Sequence, residues 1–160
     1  MYQMPTLFPE FNRVRAERAA YQEAYGENND CSVIALSIAV GIPYDVAHRM
    51  LTDAGRRKGH GFAMTTMLRD YARTGRTLCG YKFTQVDCST LDVSATRHYS
   101  RAMFTGVYKY KTVAQIRRDF PKGRFMVSIH KHIFAMIDGD ILDYTGTRAR
   151  VKYLTYVERA

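Results

Sequence analysis

The sequence contains no tryptophan, only four prolines and only three cysteines in 160 residues. Cys31, Cys79 and Cys88 are odd in number and show no Cys-x-x-Cys spacing. That pattern argues against a disulfide scaffold and a structural zinc site. No metal or other cofactor is expected. No apolar run approaches the roughly 18–20 residues of a membrane span. The opening MYQMPTLFPEF has neither the basic start nor the continuous apolar stretch of a signal peptide. With 46% hydrophobic residues and 11 glycines, the composition is not that of a disordered or collagen-like chain. The expectation is one cytoplasmic domain over residues 1–160, with no membrane association.

What is abundant is positive charge. Lys and Arg number 24 against 15 Asp and Glu, a formal net charge of +9. The basic residues are scattered: Arg13, Arg15 and Arg18, then Arg56, Arg57 and Lys58, then Arg117 and Arg118, then Arg148, Arg150 and Lys152. There is no zinc-finger spacing, no RNP-type aromatic motif and no single dense basic block. The balance favours an acidic partner, and nucleic acid is one alternative beside a merely solvated surface.

Periodicity places helices first and strands last. Residues 10–26 carry good helix formers. Asn29 or Asp30 suits the N-cap of the next segment, Cys31 to Val40, which is apolar nearly all round and so reads as a buried helix. Gly41-Ile42-Pro43 ends it. Helical spacing returns over 44–54, 65–73 and 112–120. Arg56 to Gly61 reads as a basic, glycine-containing loop. Tyr81 to Val86 alternates like a strand, but the rest of Leu78 to Lys111 has no clear pattern. Arg124 to Ile137 alternates as one long strand, with Phe125, Val127, Ile129, Ile133, Ala135 and Ile137 on one face. Met126, Ser128, His130, His132, Phe134 and Met136 take the other. Asp138-Gly139 is a two-residue hairpin turn, 140–145 the return strand and 151–157 a further strand. The class is α+β.

Cys31 falls in the first turn of the buried helix, where the helix dipole favours a thiolate. The bland alternative is a small buried hydrophobe. In the hairpin, Ile137 pairs with Asp140, Met136 with Ile141, Phe134 with Asp143 and His132 with Thr145. His132 and Asp143 are then diagonal neighbours on one face, roughly 7–8 Å apart in the backbone. A carboxylate there can hold an imidazole in one tautomer, the support a Cys–His pair needs. His130 lies a further rung from Asp143 and reads as a rim residue. A His130–His132 metal pair would need a third ligand from Asp143 or Cys31. His48, His60 and His98 read as structural or solvated.

The run Asn29-Asp30-Cys31-Ser32-Val33-Ile34-Ala35-Leu36, followed by Gly41-Ile42-Pro43-Tyr44-Asp45-Val46-Ala47-His48, resembles the nucleophile helix of papain-like cysteine peptidases. A second motif, Gly123-Arg124-Phe125 through His132, Asp138-Gly139 and Asp143, resembles their histidine strand. The likeness is to small phage and bacterial members similar to bacteriocin-processing peptidases. It covers about a third of the chain and keeps the order Cys, His, Asp. The resemblance implies a buried, nucleophile-bearing helix packed on a C-terminal antiparallel sheet. Cys31 would attack a carbonyl, His132 would take its proton or pair with the thiolate, and Asp143 would orient His132. The Cys31 backbone N–H would supply part of the oxyanion hole. The family places Gln or Asn several residues before the nucleophile as second donor. Tyr25 stands six residues before it here; Gln22, Asn28 and Asn29 are the nearby amides, with Asn28 or Asn29 favoured as the donor. Ile133 follows the histidine where a small residue is commoner.

The expected function is therefore a thiol-dependent hydrolase (a peptidase, isopeptidase or deamidase) acting on a protein or peptide substrate. For a phage-encoded chain the setting would be the host cytoplasm. Two alternatives stand beside it: a papain-like scaffold that binds and disables a host protein, and a basic nucleic-acid-binding protein.

Overall fold

Every residue from Ser32 to Val40 is buried, so the apolar segment forms the centre of the molecule, as its all-round hydrophobicity predicts. A computed structural model describes residues 9–99, 102–142, 146 and 148–160, with 90–109 described as backbone only. Among the described residues the helices are α1 (Pro9–Tyr25), α2 (Cys31–Val40), α3 (Tyr44–Asp53), α4 (Met64–Thr74) and α5 (Val113–Asp119). The strands are β1 (Tyr81–Val86), β2 (Ser89–Tyr99), β3 (Ala102–Tyr110), β4 (Arg124–Ile129), β5 (His132–Ile137), β6 (Asp140–Leu142) and β7 (Tyr153–Arg159). Five strands form one antiparallel sheet in the order β1-β7-β4-β5-β6. The fold is α+β.

The sheet separates two apolar layers. On one side α1 to α4 pack with Met126, Ile133, Ala135, Tyr153 and Val157. On the other, Val113 and Ile116 of α5 pack with Phe125, Val127, Phe134, Met136 and Leu154. A helix buried in this way must still satisfy its terminal carbonyls. Gly41 ends α2 at φ +70°, and the N–H groups of Gly41 and Ile42 return to the Ser37 carbonyl. Arg13 donates to the Ile42 carbonyl at 3.1 Å, and Arg124 donates to that of Ile38 at 3.2 Å. Two guanidinium groups thus sit at the negative end of the helix dipole.

The C-terminal strands depart from the sequence reading at one place. Residues 124–137 are not one strand but a hairpin, β4 and β5, turned at His130-Lys131 with Lys131 at φ +58°. A two-residue turn reverses the parity of the alternation. Ile129 therefore pairs with His132 and Val127 with Phe134, so Phe125 and Val127 share a face with Phe134 and Met136 rather than with Ile133 and Ala135. His130 leaves the sheet face altogether; it is exposed in the turn, 3.3 Å from Lys152 Nζ. The Asp138-Gly139 turn is formed as expected, with both residues at positive φ and the pairs Ile137–Asp140 and Met136–Ile141. The unpatterned stretch after β1 contains a further hairpin, β2 with β3, which forms its own two-stranded sheet. No single helix among the described residues is long and apolar enough to cross a membrane.

Candidate active site around Cys31

α2 lies against β5, which brings the first residue of the helix to the first residue of the strand. Cys31 and His132 are both half-buried there. Burial of the Cys31 thiol opposes its ionisation. The His132 side chain, hydrogen-bonded to the sulfur, outweighs that, aided by the backbone N–H groups of Ile133 and Ser32. The net result holds the thiol below its ordinary range. Cys88 shows the opposite balance. Burial and the neighbouring Asp87 push it up, and its sulfur donates to the Val151 carbonyl at 3.2 Å. Cys79 is exposed.

The start of α2 has no side-chain cap. Asp30 occupies the N-cap position, as the sequence suggested, but its side chain makes no capping bond. The helical ladder begins with Ile34 N–H to the Asp30 carbonyl at 3.0 Å, leaving the N–H groups of Cys31, Ser32 and Val33 ahead of it. The Asp30 carboxylate turns inward instead. Arg18 grips both its oxygens at 2.8 and 2.9 Å, and the Tyr44 hydroxyl donates to it at 2.6 Å. Burial works against the Asp30 charge, yet these partners hold its carboxyl below the usual range. The same carboxylate and, first, burial push the Tyr44 phenol up.

A second buried carboxylate braces the segment leading to Cys31. Glu27 and Arg56 have fully buried side chains and meet at 3.1 Å. Glu27 also accepts from the N–H groups of Gly59 (2.7 Å) and Asn28 (2.9 Å), and it contacts His48 Nε2. Burial opposes ionisation here too, but Arg56, His48 and the two backbone donors bring Glu27 down to about 2. Arg56 reaches on to the carbonyls of Asn28 and Asn29, both at 3.3 Å. His48 is structural: its Nδ1 meets the Tyr21 hydroxyl at 3.2 Å. Sequence reasoning missed Glu27 and Arg56 because His48, Arg56 and Gly59 lie 21 to 32 positions from Glu27 in the chain. No local pattern marks such a contact.

Of the sequence-derived site residues, Cys31 and His132 are brought together. Asp143 lies outside the described residues. Asn28 and Asn29 are exposed on the approach to α2. The Asn29 amide is committed to the Gly59 carbonyl at 3.0 Å, and the Asn28 side-chain oxygen rests against Gly59. Tyr25 is 59% exposed, its ring against that of Tyr21 rather than buried in the fold. Phe134 is 1% exposed and belongs to the layer under α5. Among the described residues no group of three His, Cys, Asp or Glu side chains is arranged to hold a metal ion. No family model matches the sequence, and no curated protein or solved structure matches it either.

Proposed function

We propose that the chain is a thiol-dependent hydrolase of the papain-like kind, acting on a peptide or amide bond with Cys31 as nucleophile. The observation that supports this reading most is the Cys31 thiol itself: it is lowered by His132 and two backbone N–H groups at the start of a buried helix. A thiolate so placed attacks a carbonyl carbon. The developing oxyanion would be met by the Cys31 backbone N–H, which lies ahead of the helical ladder. His132, having taken the thiol proton, returns it to the leaving amine as the C–N bond breaks. A water then cleaves the thioester, with His132 as its base. Asp143 is the expected orienting partner of His132.

The test is acyl transfer from p-nitrophenyl acetate. The expected result is acetylation of the Cys31 peptide ahead of the Cys79 and Cys88 peptides, turnover abolished in Cys31→Ser and reduced in Asp143→Asn. Equal acetylation of all three cysteines, or turnover surviving in Cys31→Ser, overturns the reading.

A further inference from the structure

The loop that follows α3 is fastened to the residues that lead into Cys31. Arg56, the third residue after α3, is buried on Glu27. Three residues on, the Gly59 N–H donates to Glu27 and the Gly59 carbonyl accepts from the Asn29 side chain. Gly59 is at φ +76°, and a Cβ there would stand 3.1 Å from the Asn28 side-chain oxygen, so close apposition itself calls for glycine. The turn is closed by the His60 N–H on the Arg57 carbonyl at 3.1 Å. Between these anchors stand Arg57 and Lys58, both exposed. Asn29 is two residues from Cys31, so the Gly59 anchor lies on the order of 10 Å from the start of α2.

The local charge is not balanced. The two carboxylates nearest the start of α2 are neutralised inside the fold, Glu27 by Arg56 and Asp30 by Arg18. Among the described residues no ion pair engages Arg57 or Lys58. Two exposed cations thus stand on the loop one and two residues from the Gly59 anchor, beside a helix N-terminus that also favours anions.

We infer that the loop carrying Arg57 and Lys58 is the specificity rim of the thiol site and selects acidic peptide substrates. The inference rests on Cys31 being the nucleophile. The basic pair attracts carboxylates flanking the scissile bond, and the buried Glu27–Arg56 pair keeps the rim in register with α2.

The experiment compares alkylation of Cys31 by iodoacetate, an anion, and by iodoacetamide, its neutral analogue, read by mass spectrometry of the Cys31 peptide. The double variant Arg57→Glu/Lys58→Glu is expected to lower the iodoacetate-to-iodoacetamide rate ratio several-fold. The change should collapse at roughly 0.5 M salt. Arg57→Gln/Lys58→Gln should give a smaller fall. The control Arg118→Glu/Lys122→Glu carries the same charge change near the Asp138-Gly139 end of the sheet, opposite His132, and should leave the ratio within experimental scatter of the wild type. An unchanged ratio in the loop variants, or an equal fall in the control, overturns the specificity rim. Iodoacetamide labelling of Cys31 no faster than that of Cys79 and Cys88 would instead overturn the nucleophile on which it rests.

Discussion

Arg18 and Asp30 form a two-point ion pair, Nε to Oδ2 at 2.8 Å and Nη2 to Oδ1 at 2.9 Å, immediately before the residue proposed as nucleophile. An aspartate at that position would by itself oppose a thiolate one residue away. Arg18 removes the opposition, and it holds the Asp30 carboxylate in a pair that leaves α2 without a side-chain cap.

Replacing Arg18 by Met exposes Cys31 to an unneutralised carboxylate. Alkylation of Cys31 at pH 7 should slow roughly fivefold, on the order of 1 kcal/mol for one charge at close range. Adding Asp30→Asn should restore most of the rate. A rate unchanged in Arg18→Met would show that Asp30 does not govern the thiol.

Glu27 is the buried brace, and its ionisation links stability to acid. Its folded value of about 2 lies below the ordinary carboxylate value. The stabilisation is therefore complete above about pH 4.5 and is lost as pH falls toward 2. Glu27→Gln leaves the Arg56 charge buried without a counter-ion and should cost about 3–5 kcal/mol near neutrality. Thermal melts from pH 6 to pH 2 should show the gap between wild type and variant narrowing as acid protonates Glu27. A gap that stays constant across that range would contradict the ionised brace.

Arg124 acts at the other end of the nucleophile helix. It donates to the Ile38 and Ala39 carbonyls at 3.2 and 3.4 Å and pairs with Glu10 at 2.6 Å. Arg124→Met should cost about 1–2 kcal/mol, a fall in Tm of roughly 3–6 °C. Cys31 is about 11–12 Å away along α2 and should keep its alkylation rate. A rate loss matching that of Arg18→Met would mean that Arg124 has a role at the thiol.

The burial of α2 and the Asp138-Gly139 turn were legible because both signals are local: an apolar segment without a polar face, and a dipeptide suited to two positive φ angles. The His130-Lys131 turn was not. Lys131 is an uncommon occupant of a positive-φ position, and the alternation runs through the turn without a break, so two strands read as one. Cys31 and His132 could be nominated from chain order and helix position, but not the ion pairs around them. Arg18, Glu27 and Arg56 are ordinary charged residues in the sequence; only tertiary contact makes them supports of the site. Asn28 and Asn29 were nominated as oxyanion donors for being amides near the cysteine. The Asn29 amide bonds the Gly59 carbonyl, a contact that no local pattern announces.

The central claim is that His132 activates Cys31, and the most direct measurement is the pH dependence of iodoacetamide labelling at Cys31 in the wild type and in His132→Ala. Because the folded thiol is held below its ordinary range, the wild-type rate should reach its plateau at lower pH than a free cysteine, for which the midpoint is about 8.5. Loss of His132 leaves burial opposing the charge, so the midpoint should move up to or beyond that value and the rate at pH 7 should fall about tenfold or more. Superimposable profiles for the two proteins, or a wild-type midpoint at or above that of free cysteine, would contradict the account.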